Sequence, residues 1–395
     1  MKSTVSYLSN LTPLRGIAAL LTVIYHVDLL IGGGGDMLIK YSHSMLLNRM
    51  YLMVDFFFIL SGFIMCHVYG EMFAVSVKYE AFKKFTIARF ARVYPLHLVM
   101  LLYTIILWFV SAQAGIPKVP VLQTANNWLS IITNLLLVQS MNLHNWFSWV
   151  HASWSISVEW WAYMIFPFLV PLFIRLSSLG KAIIALSCFI GYLVITFYIV
   201  PIVTVPVELP FVKLNPASHS INVSYQFGFL RCLCGFILGM TMYQGFKAGW
   251  AKKILGNGYA LTVLVLASFT CMHLDAPDIF TVSFFPLILL CGAYGSNGID
   301  KVFATRALQK LGDLSFTIYL VHQPLLYTIG SINTYLHPVI QGSLASGPPP
   351  KPAIFFGWMA CLAVIALSII ISYFINRFVE LPARHWLNPK KTLRI

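Results

Sequence analysis

Apolar runs of membrane-span length recur along this chain, at 12–31, 51–69, 94–112, 154–174, 182–201, 226–244, 257–274, 280–297, 312–333 and 355–376. A helix needs roughly 20 mostly apolar residues to cross the hydrocarbon of a bilayer, so each run is a candidate crossing. Lipid offers no hydrogen bonds to the backbone, which leaves helices or a closed barrel as the only spanning structures. None of these runs alternates between polar and apolar as barrel strands do. The expected fold class is therefore all-α, a polytopic membrane protein of about ten transmembrane helices in one integral-membrane domain over 1–395. Residues Thr12 to Ile31 approach a full span and have no small-residue cleavage site behind them, so the first segment reads as retained rather than as a signal peptide.

A net charge of +14 raises the question of a nucleic-acid partner, and the placement of the charges answers it. Lys78, Lys83, Lys84, Arg89 and Arg92 crowd the second connection, and further groups fall at Arg175 and Lys181, Lys247 to Lys253, Lys301 to Lys310, and Arg377 to Arg394. The intervening connections hold only Lys40, Arg49, Lys118, Lys213 and Lys351. That alternation is the positive-inside pattern: it predicts both termini in the cytoplasm, with 376–395 a short basic cytoplasmic tail, and no nucleic-acid binding. An eleventh apolar segment, 127–141, would invert the pattern if it crossed, so it is expected to be re-entrant or to lie along the outer surface. The outward connections 201–225 and 334–354 are rich in Pro, Asn and Ser, the second containing GPPPKP, and read as surface loops within reach of an extracytoplasmic substrate. Seven cysteines lie mostly in apolar runs without ligand spacing, which favours neither a metal site nor a disulfide framework.

Against this background the ionisable residues inside the spans stand out, because charge at that depth is costly and marks function by default. Arg15 and His26 share the first span. Eleven helical steps rise about 16 Å and return to nearly the same face, so both look into one groove, Arg15 near a membrane surface and His26 near mid-membrane. Histidine also packs helices together in lipid, which is the plainer reading of each imidazole. Arg89 and Arg92 are three apart in a basic, aromatic segment suited to a membrane surface; on a helix they share a face and form a phosphate clamp that a nucleotide-containing donor such as coenzyme A would fit. Glu159 sits among Trp154, Trp160 and Trp161, and needs a partner, with Arg231 or an imidazole the candidates and Ser155 four residues before it on the same face. Ser61 and Gly62 allow close helix approach, and Ser61 can donate to a carbonyl. His322, beside Pro324, is a second intramembrane imidazole. No G-x-S-x-G elbow surrounds Ser61, so a covalent serine intermediate has no local support.

In order along the chain, Arg15 with His26, DFFFILSGF (55–63), RFARVYP (89–95), SWSISVEWWAY (153–163), RCLCGFILG (231–239), GDLSFTIYLVHQP (312–324) and VELPAR (379–384) resemble the motifs of the membrane-bound acyltransferase family 3, bacterial O-acyltransferases of exported glycans. Each motif alone is weak, and the ordered set is specific. One departure is Asp55, where the family's motif usually begins with glycine and valine. The resemblance implies transfer of an acyl group, acetyl the commonest, from cytoplasmic acyl-CoA to a hydroxyl of an extracytoplasmic or lipid-linked glycan, with no metal. It implies a multi-pass protein of the bacterial inner membrane, in its stand-alone form, in contact with membrane lipid; homo-oligomerisation is left open.

Acyl transfer to an alcohol needs a base, donors for the developing oxyanion and exclusion of water. His26 is the expected base, with Glu159 orienting it and Arg15 holding the donor's phosphate or pantetheine end. Arg89 and Arg92 are expected on the nucleotide phosphates, and Ser61, Trp154, Arg231 and His322 toward acyl group and acceptor. A transporter of an acylated or lipid-linked sugar is the alternative, since intramembrane charge serves transport equally well, although no internal repeat supports it. A structural subunit of an export complex predicts that substitutions at Arg15 and His26 are silent.

Overall fold

The computed structural model describes residues 8–31, 37–118, 120–203, 219–336 and 354–388, and within these every regular element is a helix. In chain order they are α1 (Leu11–Leu30), α2 (Met53–Phe73), α3 (Tyr79–Gln113), α4 (Pro120–Ala125), α5 (Trp128–Leu135), α6 (Ser153–Arg175), α7 (Ser178–Val194) and α8 (Gly228–Lys247). They continue with α9 (Lys252–Leu255), α10 (Gly258–His273), α11 (Asp278–Tyr294), α12 (Asn297–Phe303), α13 (Arg306–Leu336), α14 (Ile354–Ile375) and α15 (Leu381–Leu387). Each of the ten expected runs is helical. By length and composition, seven helical stretches among the described residues are long and apolar enough to cross a membrane; α10 and α11 are shorter apolar helices, and α13 carries polar residues in its first turns. Most of the two expected outward loops, at 204–218 and 337–353, lies outside the described residues.

The segment expected to be re-entrant folds as α5, eight residues opened by an Asn127–Ser130 capping box. At 1.5 Å per residue it rises only about 12 Å, too little to cross. It is tied to α3 instead: Tyr94 donates to the Leu135 carbonyl at 3.0 Å, and His97 Nε2 lies 3.0 Å from the Asn134 carbonyl. The stretch expected as a basic tail, 376–395, is structured over its described part. It forms a π-helical turn at Asn376–Glu380 and then α15, packed on α3, with Glu380 only 1% exposed.

Two helix pairs form the frame, each through glycine. Gly62 of α2 and Gly239 of α8 face the other helix's backbone so closely that a Cβ on either would overlap a carbonyl, of Phe236 and Ile59 respectively. Gly16 of α1 and Gly312 of α13 make the same kind of approach, Gly312 against the Thr12 carbonyl. Lipid gives no hydrophobic drive for helices to associate, so close backbone packing at small residues carries much of the association. The Gly16–Gly312 crossing also fixes the register that puts the polar stripe of α1 opposite that of α13.

One end of the bundle gathers Arg92, Lys247, Lys310 and Arg384 and is called the basic end below. The other, the loop end, holds ion pairs built on the buried Arg49 and Arg231. Arg49 bonds Asp275 and reaches Asp278 at 3.1 Å, and Tyr51 donates to Asp278 at 2.5 Å. Arg231 grips Asp55 with two bonds, Nε to Oδ1 at 3.0 Å and Nη2 to Oδ2 at 2.6 Å, and donates to Asn222 and the Val223 carbonyl at 3.1 Å.

Candidate active site

A cavity of about 440 Å³ runs inward from the basic end between α1, α2, α3, α6, α13 and α15. Helical spacing explains which side chains line it. On α2 they include Val54, Phe57, Phe58, Ser61 and Met65, joined by Leu60 and Ile64; on α6, Ser155, Glu159 and Tyr163, joined by Ile156; on α13, Lys310, Asp313, Phe316 and Tyr319 at steps of three, joined by Ser315. Five cationic side chains, Arg15, Arg89, Arg92, Lys310 and Arg384, face it, against the carboxylates of Glu159 and Asp313. The cations cluster toward the basic end, while its inner end is closed by Phe57, Ser155 and Tyr319. From Lys310 to Tyr319 the helix rises about 14 Å.

The arginines are held in different ways. Arg92 bonds the buried Glu380 at 2.5 Å, and Arg384 approaches the same carboxylate oxygen at 3.6 Å. The other oxygen of Glu380 accepts from Thr317 at 2.6 Å and Asn376 at 2.8 Å. Arg89 donates to Tyr69 at 2.8 Å and lies over the Tyr69 and Tyr163 rings; its Nε is buried without a hydrogen-bond partner among the described residues. Arg89 and Arg92 thus share the cavity face that their spacing predicts.

Glu159 also faces the cavity. Its expected partner, Arg231 or an imidazole, is instead Tyr163, which donates to Glu159 Oε1 at 2.6 Å and receives a 3.1 Å bond from Ser61. The Ser61–Tyr163–Glu159 chain joins α2 to α6 on the wall of the cavity.

His26 and His322 lie just beyond the closed end. Their rings are 4.8 Å apart, with His322 Nε2 3.2 Å from His26 Nδ1. The carbonyls of Thr22 and Ile318, which can only accept, lie 2.9 and 3.2 Å from the Nδ1 atoms of His26 and His322 respectively. Each Nδ1 therefore carries a proton. His26 donates toward Thr22 and toward the His322 Nε2 lone pair, which leaves the Nε2 of His26 as its basic atom. A layer of two rings separates this pair from the cavity: Tyr319, centred 5.8 Å from His322, and Phe57, centred 6.0 Å from Tyr319. Arg15 and His26 thus fall on one stripe, as their spacing predicts, with only Arg15 lining the open cavity.

Two residues expected near substrate fall elsewhere. Arg231 is fully buried in its pairing with Asp55, and Trp154 packs with its ring 5.5 Å from the Arg231 guanidinium and against Phe58; neither lines the cavity.

Sequence reasoning passed over Glu380, Tyr163, Tyr319 and His151. The signal for Glu380 was available, since it is the only acid after Asp313. Tyr319 sits three residues before His322, one helical turn away. His151 precedes α6 in an irregular segment, stacked on Phe147, edge-on to Tyr327 and within electrostatic reach of His26; no periodicity places such a residue.

The acyltransferase domain model of acyltransferase family 3 matches residues 9–377. The chain is 26% identical to Acyltransferase MdmB of Streptomyces mycarofaciens over 363 residues, which cover 86% of this chain and 82% of that protein. It is 22% identical to Peptidoglycan O-acetyltransferase OatA of Listeria monocytogenes over 407 residues, covering 97% of this chain but 57% of the relative. Over 88 residues, 22% of the chain, it is 36% identical to Protein 2 in picA locus of Rhizobium radiobacter. No solved structure matches. With a polytopic helical bundle and a family match over nearly its whole length, the chain belongs to acyltransferase family 3 and is a membrane-bound O-acyltransferase.

Proposed function

We propose that this protein transfers an acyl group, acetyl in the first instance, from cytoplasmic acyl-CoA to a hydroxyl of an extracytoplasmic or lipid-linked glycan in the bacterial inner membrane. The carrying observation is one cavity that leads from five cations to a floor one residue layer short of the His26–His322 pair. Its polarity suits a donor that is anionic at one end and apolar at the other. The positive-inside rule turns the basic end to the cytoplasm, where acyl-CoA is made.

Phosphates of the donor meet Arg89, Arg92 and Arg384, the guanidinium being the side chain best shaped for a phosphate. Arg15 lies along the path of the pantetheine arm, and Ser61 with Glu159 borders it. The thioester arrives at the inner end, under Phe57 and Tyr319. The acceptor hydroxyl enters from the loop end and gives its proton to Nε2 of His26. The resulting imidazolium is stabilised by donating to Thr22 and to His322. The acceptor oxygen attacks the acyl carbon, the carbon–sulfur bond breaks, and the proton held by His26 is returned to the departing thiolate, so no net proton is consumed. Glycan as acceptor accords with the peptidoglycan named for the Listeria relative.

The test uses purified protein in nanodiscs with acetyl-CoA and a candidate saccharide. Free thiol should appear only when acceptor is present, together with a saccharide heavier by one acetyl unit. Arg89→Ala should raise KM for acetyl-CoA by about tenfold or more, as expected for a lost charge-assisted contact. It should leave turnover of acetyl-N-acetylcysteamine, which lacks the nucleotide, unchanged. A transporter would instead move the saccharide across the bilayer without release of thiol.

A further inference from the structure

Tyr319 is the side chain that both lines the inner end of the cavity and lies against His322 of the imidazole pair. It lies on the α13 stripe that begins at Lys310, and the next step of that stripe is His322. Its hydroxyl sits 2.7 Å from Ser155 Oγ, and Ser155 Oγ in turn can donate to the Ala152 carbonyl at 3.2 Å. Ser155 lines the cavity as well. The floor on which a thioester would rest is therefore a pair of coupled hydroxyls, set one helical turn, about 4.5 Å of rise, from His322.

Such a pair has two arrangements of its protons. In the first, Tyr319 donates to Ser155 and Ser155 donates to Ala152, so neither proton faces the cavity. In the second, Ser155 donates to the Tyr319 oxygen, and the Tyr319 proton is released toward whatever carbonyl stands before it. A hydroxyl that is itself accepting a hydrogen bond is a stronger donor, because linked hydrogen bonds polarise one another in a water-poor interior.

We propose that Tyr319 is a further catalytic residue: it donates the hydrogen bond that holds the carbonyl oxygen of the thioester as charge develops there, with Ser155 as the positioning residue that orients its hydroxyl. This rests on the acyl-CoA reading above. As the acceptor oxygen adds to the acyl carbon, the carbonyl oxygen becomes an oxyanion held by Tyr319. When the intermediate collapses, the carbon–sulfur bond breaks and the sulfur takes the proton that His26 removed from the acceptor. A preset donor aimed at the place where charge forms is commonly the largest single contribution to acyl transfer. Here the donor, Tyr319 on α13, lies one helical turn from His322, whose ring meets that of the base, His26 on α1, with centroids 4.8 Å apart, so donor and base approach one region from two helices.

The experiment compares wild type, Tyr319→Phe and Ser155→Ala in nanodiscs, measuring kcat and KM with acetyl-CoA and acceptor, and Kd for desulfo-CoA. Tyr319→Phe keeps the ring and its packing, so its kcat should fall roughly 100-fold, the scale of a lost oxyanion donor. Desulfo-CoA should bind it within twofold of wild type. Ser155→Ala, which leaves the tyrosine proton but not its orientation, should lose about tenfold in kcat with KM unchanged. A Tyr319→Phe variant within threefold of wild-type kcat overturns the inference, as does one that loses desulfo-CoA binding in proportion to activity. A wild type that releases no thiol overturns the acyl-CoA reading and this inference with it; an active wild type with an equally active Tyr319→Phe overturns this inference alone.

Discussion

Glu380 accepts a 2.5 Å bond from Arg92, a residue 288 positions earlier in the chain, and by doing so positions a predicted phosphate ligand from the turn that packs on α3. The same carboxylate holds Thr317 and Asn376, so α3, α13 and the turn after α14 converge on one buried group. Removing one partner of a buried pair leaves the other charge uncompensated and typically costs about 3–5 kcal/mol. Arg92 keeps some exposure to the cavity, which puts the expected loss at the lower end of that range. Glu380→Ala should therefore lower the thermal midpoint in detergent and raise KM for acetyl-CoA, whereas Glu380→Asp, which keeps the charge, should recover part of both. An unchanged midpoint together with an unchanged KM would remove Glu380 from the donor site.

The imidazole pair makes a different prediction, because its members are not equivalent. In the proposed mechanism His26 offers Nε2 as base, while His322, whose Nε2 lies 3.2 Å from His26 Nδ1, supports the cation that would form. His26→Ala should abolish acyl transfer with donor binding intact. His322→Ala removes only the support and should lower kcat by about 10- to 100-fold, within the range of general acid–base contributions. Desulfo-CoA titration of both variants provides the control. Equal residual activity in the two would mean that the division of roles is wrong.

How much of this was legible in the sequence follows from which signals are local. Helices, and the sharing of the cavity face by Arg89 and Arg92, come from periodicity that a single chain displays. The Arg15–His26 stripe is likewise pure helix geometry. Partner choice is not local. Glu159 and Arg231 are both intramembrane charges in need of company, and nothing in their spacing says that Asp55, on α2, takes Arg231 while Tyr163, one turn away, takes Glu159. A carboxylate at Asp55 answers the Arg231 guanidinium across the α2–α8 crossing. His151 sits in an irregular segment between α5 and α6, where no period exists to be read.

Asp55 and Arg231 pair with each other in the bundle and do not line the cavity, and a double-mutant cycle separates an architectural role from substrate binding. Asp55→Leu or Arg231→Met alone should destabilise by about 3–5 kcal/mol, as a buried charge loses its partner. The double variant removes both charges and should regain much of the stability, and with it the acyl transfer. If Arg231 instead touched substrate, the double variant would be stable and inactive. Thermal unfolding and thiol release on the same four preparations decide between these outcomes.

Phe57 and Tyr319 form the floor of the cavity, and Phe57 is the member without a hydrogen bond to the wall. Its ring fills the space into which an acyl chain longer than acetyl would extend from a thioester resting under Tyr319. A methylene placed in an apolar pocket is worth roughly 1–3 kcal/mol in discrimination, and a ring that blocks the pocket withholds that gain. Phe57→Ala should therefore raise kcat/KM for butyryl-CoA relative to acetyl-CoA by about tenfold or more. The opened floor should also admit water to the thioester, so slow thiol release without acceptor is expected in the variant. Competition between the two donors, read by mass spectrometry of the acylated product, measures the first effect, and thiol release without acceptor the second. A variant that keeps the wild-type ratio of butyryl to acetyl product would show that chain length is set elsewhere along the path.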